Sequence, residues 1–231
     1  MTAYAVKPIN KATAEAVVKA KHYSGRLGIF WEAFGLFDPV GLLIGVCVFG
    51  QPSAPIQKHA FRDREFRLYE LTRLVVDAGH ANGASTLIAG ALRLLKHQPC
   101  AVISYADSAH GHCGIVYQAT NWLYTGATVA HDVLYMIDGV PTHGMSVCDR
   151  FGITNAVAWA KANGITMVKP GPKHRYFQFV GNRRDVRNMR AKLNYPVIAA
   201  YPKVAKSLYA SPSSCAATAH EQRVTWHDSL A

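Results

Sequence analysis

Hydrophobic and polar positions recur with regular periods in the first half of the chain and predict the element order β-α-β-β-β-α-β. AYAVKPIN is strand-like, and KATAEAVVKAKHYSG spaces its apolar residues by three and four, as an amphipathic helix does, up to Gly25. IFWEAFGLFD and VGLLIGVCVFG flank the turn DPVG and predict an antiparallel hairpin. A polar connection then leads to the strand FRLYELTRLVV, the helix GASTLIAGALRLLKHQP, which ends before Pro99, and the buried strand CAVISYAD.

The second half of the chain has a weaker pattern. SAHGHCGIVYQATNWLYTG predicts a short helix that leads into a strand at LYTGATVA. HDVLYMIDG and HRYFQFVG are two further strand candidates, with the helix TNAVAWAKANG between them. Residues 204–231 are rich in Ser, Ala and Thr without periodicity, which predicts a disordered tail. We therefore expect a single α/β domain over residues 1–203.

Composition excludes several classes of protein. No window reaches the roughly 18 apolar residues of a membrane span, and no apolar signal core opens the chain, so we expect a cytoplasmic protein without a membrane partner. The five cysteines are scattered, which argues against a zinc knuckle and against a disulfide scaffold. The 25 Lys and Arg against 14 Asp and Glu give a net charge of +11, which is typical of a protein that binds a polyanion.

Positive charge is concentrated in residues 169–203, where aromatic residues interleave with the basic ones in KHRYFQF. The arginines that follow recur at spacings of three and four, which places them on one side of a helix. A one-sided basic surface beside aromatic residues is typical of nucleic-acid binding, although a solvated helix face gives the same pattern. The predicted nucleic-acid contacts are Lys173, Arg175, Arg183, Arg184, Arg187 and Arg190.

A glycine-containing turn from His80 to Ser85 joins the fourth strand to its helix. The first N–H groups of a helix lack internal partners, so such a turn can hold a phosphate, with Gly83 allowing close approach and Ser85 donating a hydrogen bond. An ordinary turn, in which the Asn and Ser side chains only cap the helix, is the alternative. The predicted cofactor contacts are Asn82, Gly83, Ala84 and Ser85.

The element order, with this turn after the fourth strand, resembles the GNAT superfamily of N-acetyltransferases. The blocks KHYSG, ELTRLVV followed by NGAS, SYAD, GIVYQATNWLYTG and PGPKHRYFQF occur together in this order. They resemble the Mom family of phage Mu-like DNA modification proteins over roughly residues 1–203. The resemblance implies a GNAT-like mixed central sheet flanked by helices, with a basic C-terminal extension. It also implies an enzyme that converts adenine in DNA to N6-carbamoylmethyladenine and so protects phage DNA from restriction.

The same resemblance implies cofactors and partners. The group donor would be acetyl-CoA or another activated compound, and an iron ion would be held by His and Tyr side chains. The partner would be double-stranded DNA with a flipped adenine, and a homodimer is one option for the assembly. His22 and Tyr23, adjacent at the end of the first helix, are the predicted metal ligands, and His110 and His112 in HGHC are further candidates.

Four residues are predicted to form the catalytic site: Tyr23, Arg73, Asp107 and Tyr117. Arg73 interrupts an apolar strand and Asp107 closes the next one, so we expect them to pair where GNAT-like strands separate to admit substrate. A purely structural ion pair is the alternative. Asp107 would orient or deprotonate the adenine N6, and Arg73 would hold Asp107 or an anionic donor. Tyr117 matches the GNAT tyrosine that protonates the departing thiolate, because it lies four residues before Asn121-Trp122.

Two other functions fit the same sequence. One is an acetyltransferase that uses acetyl-CoA on a small amine, a protein or tRNA. The other is a basic DNA-binding protein that has kept the fold and lost catalysis. Substitution of Asp107 by Ala would inactivate an enzyme and leave a protein that only binds DNA unaffected.

Overall fold

Seven strands form one mixed sheet, and helices cover both of its faces, in the computed structural model, which describes residues 4–61, 66–108, 111–128 and 133–203. The first half contains β1 (Ala5–Pro8), α1 (Lys11–Lys21), β2 (Glu32–Phe37), β3 (Leu43–Gly50), α2 (Ala54–His59), β4 (Arg67–Val76), α3 (Gly83–Leu94) and β5 (Cys100–Asp107). The second half contains α4 (Ile115–Ala119), β6 (Leu123–Ala127), β7 (Leu134–Ile137), β8 (Val140–His143), α5 (Gly144–Phe151), α6 (Ala156–Ala162), β9 (Met167–Val168), β10 (Lys173–Val180) and α7 (Arg183–Lys192).

The strand order of the large sheet is β1-β2-β3-β4-β5-β10-β6. β4 and β5 are parallel, and every other neighbouring pair in this sheet is antiparallel. The predicted fold class, a mixed central sheet flanked by helices, is therefore confirmed. The predicted element order is also confirmed, except that α2 lies in the segment predicted to be a polar connection. A proline in its first turn suits a helix start, because the N–H that proline lacks has no partner there.

Two hydrophobic layers enclose the sheet. α3 and α4 cover one face, where Leu87 and Ile88 pack with Trp122 and with the strand residues Phe34 and Val102. We call this the α3 face. The other face carries α1, α2 and α7, whose buried residues pack against alternate strand positions. We call it the α7 face. Because strand side chains alternate between faces, this division decides which side of the sheet each polar residue meets.

A small αβ unit is inserted between β6 and β10. The antiparallel sheet β8-β7-β9 and the helices α5 and α6 share a hydrophobic cluster of their own. The strand predicted at HDVLYMIDG is observed as β7, and Asp138 and Gly139 take positive φ angles of 52° and 77° and turn the chain into a hairpin with β8, which was not predicted. α5 was not predicted. It starts after His143, whose ring accepts the Met145 N–H, and histidine is not among the preferred capping residues.

The basic C-terminal part of the chain, residues 169–203, contributes a strand to the interior of the large sheet. β10 lies between β5 and β6, and α7 follows it and buries Met189. The predicted disordered tail, residues 204–231, lies outside the described residues. No helix in the described part of the chain is long and apolar enough to cross a membrane.

Candidate active site

The two parallel strands separate halfway along their length. β4 pairs with β5 only from Arg67 to Leu71, although both strands continue beyond this point. Thr72 is an extra residue in β4 opposite β3, and such a bulge bends the strand that contains it. The opening is a cleft of about 470 Å³. Its lining includes residues 21–23, 71–76, 105–107 and 111–117, so the expected separation of the strands is observed.

Tyr117 closes the cleft on the α3 face. Its hydroxyl lies 2.8 Å from Ser104 Oγ, and Ser104 Oγ also donates to the Leu71 carbonyl at 2.9 Å. A serine hydroxyl has one proton, so Ser104 donates at any moment to either the Leu71 carbonyl or the Tyr117 hydroxyl, and the phenol proton of Tyr117 is available to the cleft while Ser104 donates to Tyr117. Burial raises the pKa of Tyr117 to about 12. The phenol therefore stays protonated at neutral pH, as a proton donor to a leaving group must.

Arg73 and Asp107 both reach the cleft on the α7 face, but they do not pair. Arg73 donates from Nε to the Arg26 carbonyl and from Nη1 to the Thr72 carbonyl, each at 2.6 Å. Asp107 instead lies 3.9 Å from the ammonium of Lys173. The predicted Arg73–Asp107 ion pair is therefore wrong. The bulge carries Arg73 away from β5, and the register of β10 puts Lys173 directly opposite Asp107.

Tyr23 and His22 lie at the mouth of this cleft, where α1 ends. Their rings stack with centroids 4.3 Å apart, and the edge of the His112 ring meets Tyr23 at 6.2 Å. Tyr23 is 59% exposed at this mouth. Burial of its inner part and the nearby Asp107 raise the pKa of Tyr23. His22 accepts the Ser24 N–H through Nδ1, so this nitrogen is unprotonated in the arrangement seen.

The geometry of these rings allows a test of the predicted iron site. Among the described residues, no three His, Cys, Asp or Glu side chains are grouped closely enough to hold a metal ion. His22 and Tyr23 are neighbours, and His112 adjoins them, but they do not complete such a ligand set. His110 lies outside the described residues. The iron ion therefore stays a prediction, and no chemical step is assigned to one.

Glu70 is a candidate that the sequence reasoning missed. It lies on β4 and on the α7 face, and burial raises its pKa to about 6, whereas Arg73 and Lys173 oppose the rise. Charged groups from three strands thus meet beside the cleft. The sequence could have identified Glu70 as a candidate site residue, because it interrupts the same apolar strand as Arg73.

The turn before α3 has the geometry of a phosphate site. Asn82 adopts a left-handed conformation with φ 58°, and its side chain does not cap the helix. Ser85 Oγ donates to the Asn82 carbonyl at 2.9 Å, so it does not cap the first N–H groups either. A Cβ on Gly83 would lie 2.9 Å from Val76, so the chain packs here as only glycine allows. The alternative of an ordinary side-chain cap is therefore not observed, and the first turn of α3 fits a phosphate group of a donor such as CoA.

The predicted DNA contacts divide into two groups. Arg175 is held inside the fold, because its guanidinium bonds to Thr125 and stacks 3.6 Å from the Tyr195 ring centroid. Lys173 lies beside Asp107 at the cleft. The four arginines of α7 are exposed, as their helical spacing predicted: Arg183, Arg184, Arg187 and Arg190.

Several solved structures of acetyltransferases are similar to this chain. The GNAT family N-acetyltransferase YhbS from Escherichia coli, solved in complex with CoA, is 15% identical over 53% of this chain and 69% of its own, with a TM-score of 0.39. Spermidine N-acetyltransferase SpeG from Vibrio cholerae is 10% identical over 76% and 93% of the two chains, with a TM-score of 0.45. A histone acetyltransferase HPA2-related protein from Corynebacterium glutamicum is 10% identical over 77% and 96%, with a TM-score of 0.41. No curated protein shows a significant sequence match.

The mixed sheet, whose two parallel strands separate halfway along their length, defines the fold class of the chain. Within that class the sequence is more specific. The model of the Mom protein family matches residues 3–203, and the chain therefore belongs to this family.

Proposed function

We propose that this protein is a transferase that modifies DNA, converting adenine to N6-carbamoylmethyladenine in the cytoplasm of a host cell and so protecting phage DNA from restriction. The observation that carries the proposal is the placement of two different proton-handling groups on opposite faces of the separated strands. Asp107 lies on the α7 face beside Lys173, and the protonated Tyr117 lies on the α3 face. Membership of the Mom family and the net charge of +11 support DNA as the partner.

The proposed reaction requires a proton acceptor on one face of the separated strands and a proton donor on the other. The exocyclic N6 of adenine is a weak nucleophile, because its lone pair is delocalised into the ring, and it loses a proton when it forms a new bond. Asp107 is suited to orient this amine and accept the proton. Arg73 stays cationic and can hold an anionic part of the donor. Tyr117 gives its proton to the departing group on the other side.

The donor would enter from the side of α3. The start of α3 has no side-chain cap, and the N–H groups of Ala84 and Ser85 would hold the phosphate, because the start of a helix attracts negative charge. The Gly83 N–H is not available for this contact, because it donates to the His80 carbonyl at 3.0 Å. When bound, such a donor would present the methylene carbon of a carbamoylmethyl group to N6, and the bond between this carbon and the departing group would break as the bond to N6 forms. The residues that line the cleft from Leu71 to Val76 would lie along its length.

The target atom must leave the base stack to reach this cleft. N6 of adenine is paired inside the duplex, so modification requires a flipped base or a melted strand. The exposed ring of Tyr23, stacked on His22 at the cleft mouth, offers an aromatic surface to such a base.

The nucleosides of host DNA test the proposal directly. Expression of the protein in a bacterium, digestion of the DNA and mass spectrometry should reveal a heavier deoxyadenosine. Asp107→Asn should abolish the product while purified protein keeps its DNA affinity. Glu15→Gln is the matched control, because Glu15 pairs with Lys19 on α1 and does not line the cleft. Unaltered nucleosides from cells that make folded wild-type protein would disprove the proposal.

An acetyltransferase acting on a small amine, a protein or tRNA is the second candidate, and the geometry at the start of α3 favours it equally. This function predicts tight binding of acetyl-CoA and release of free CoA with an amine. Titration calorimetry with acetyl-CoA, with and without duplex DNA, separates the two. Acetyl transfer to an amine without any DNA product would select the second candidate.

A further inference from the structure

The unit inserted between β6 and β10 contains two short helices joined by a tight turn. α5 ends at Phe151 and α6 begins at Ala156, and Gly152 between them has a φ angle of 63°. Val147 of α5 and Ala160 of α6 are both fully buried in the core of the unit. Helix pairs with a turn of this length that contains glycine are a common DNA-binding arrangement, in which the second helix enters the major groove.

The outer face of α6 is small, neutral and open to solvent. Ala156 and Ala160 point inward and are buried, whereas Val157 is 44% exposed and Ala158 and Lys161 are exposed. Short apolar side chains can approach base edges and contact the methyl group of thymine. A helix of seven residues is about 10 Å long and fits within a groove about 12 Å wide.

Charge on this unit is complementary to DNA. Between residues 133 and 172 the acidic residues are Asp138 and Asp149, and each forms an ion pair with an arginine, Arg150 and Arg26 respectively. The remaining Lys and Arg residues there, Lys161 and Lys169, are both exposed. The surface beside α6 therefore presents positive charge to a phosphate backbone, with its acidic residues already neutralised.

The unit also lies at the end of the sheet where the cleft opens. It leaves the sheet after β6 and returns at Lys173, where the Thr128 N–H donates to the Lys173 carbonyl at 2.9 Å. α5 contacts the loop that holds Arg73, because Arg26 pairs with Asp149 at 2.9 Å and gives its carbonyl to Arg73. Any duplex that delivers a base to the cleft passes close to this unit.

We propose that the outer face of α6 contacts the major groove of the DNA whose adenine enters the cleft, and that it reads the bases around that adenine. Val157 and Ala158 would face base edges, and Lys161 would contact a phosphate. The proposal rests on the proposed function in taking DNA as the substrate. It adds a recognition surface outside the cleft.

Binding of a duplex of mixed sequence, measured by fluorescence anisotropy over a range of salt concentrations, tests the phosphate contact. Lys161→Glu should weaken binding and lower the slope of log K against log salt by about 1. Ala158→Lys and Ala158→Glu should shift affinity in opposite directions, and a solvent-exposed position tolerates both. Lys11→Glu is the control with the same charge change, because Lys11 is exposed at the start of α1, next to β1 at the opposite edge of the sheet.

Sequencing of modified sites tests base reading. Val157→Asn should change the ratio of modification between sequence contexts roughly tenfold, with the protein still folded by circular dichroism. Wild-type affinity and salt slope in Lys161→Glu and in both Ala158 variants would overturn the proposal, as would a folded wild-type protein that binds no DNA. If wild-type protein binds DNA but leaves adenine unmodified, only the proposed chemistry fails, since the binding measurements require no reaction.

Discussion

Tyr117 keeps its phenolic proton throughout the physiological pH range, because burial raises its pKa to about 12. Tyr117→Phe removes one oxygen and leaves the packing against Trp122 and Tyr176 in place. We expect a loss of about 100- to 10,000-fold in the transfer rate, which is the range for general acids. The free energy of unfolding should fall by about 1 kcal/mol, the usual value of a hydrogen bond.

Tyr124→Phe is the matched control for this substitution. Tyr124 lies on β6, is buried as Tyr117 is and also forms a hydrogen bond, to His174 at 3.0 Å, but it does not line the cleft. Single-turnover kinetics on duplex DNA measure the effect. Equal rates for the two variants would show that Tyr117 supplies no proton.

Glu70 makes stability depend on pH in a direction that is unusual for a carboxyl group. Burial raises its pKa from 4.5 to about 6, so the folded protein binds its proton more tightly than the unfolded chain does. This contribution to stability is fully present below pH 4.5 and is lost as pH rises through 6. The shift corresponds to about 2 kcal/mol at most.

Glu70→Gln should therefore stabilise the protein above pH 6 relative to wild type and lose this advantage near pH 4.5. Urea unfolding of both proteins at pH 4.5 and pH 7.5 measures the difference, and other titrating groups cancel in the comparison. A constant difference between the two proteins at both pH values would contradict the assignment of the raised pKa to Glu70.

At the scale of elements, α7 places its arginines along the sheet and away from the cleft. Val180 pairs with Cys100, at the end of β5 opposite Asp107, and α7 begins three residues later. Eight residues of strand span about 23 Å, so the start of α7 lies at a distance equal to about seven base pairs of duplex. The α7 arginines therefore suit phosphates that flank the modified adenine.

Arg187→Glu should weaken DNA binding to a similar degree for all sequences, because a phosphate contact carries no base information. Arg93→Glu is the matched control, since Arg93 is exposed in the last turn of α3, on the opposite face of the sheet. Affinities for several unrelated duplexes at one salt concentration measure the effect. A sequence-dependent loss, or equal losses in both variants, would contradict this role for α7.

Periodicity predicted most elements correctly because local sequence determines them. The 3.6-residue pattern of α1 and α3 and the alternation in β10 reflect which side of each element is buried, and the structure confirms all three. Two elements of the inserted unit were missed for different reasons. The α5 helix is stabilised by packing within the unit, around Val147 and Tyr135, and such contacts have no local signal. β8 follows the Asp138-Gly139 turn, which is a local hairpin signal that the sequence interpretation overlooked.

At the scale of the whole molecule, a net charge of +11 acts on any polyanion regardless of sequence. If six or more phosphates are neutralised, affinity for DNA should fall by about 1,000-fold or more between 50 mM and 200 mM salt. Filter binding or anisotropy with sequence-unrelated duplexes measures this dependence. An affinity that hardly changes with salt would mean that the basic surface does not contact the backbone.

The amino-acid sequence by itself determined the class of fold, the family and the candidate catalytic side chains, because periodicity and residue identity are local properties. It also located Tyr23, Asp107 and Tyr117 correctly as cleft residues. Only the tertiary structure decided which groups meet. The register of β10 places Lys173 opposite Asp107. The extra residue in β4 precedes Arg73, whose guanidinium contacts backbone carbonyls. These pairings depend on how distant strands align, which no single segment encodes.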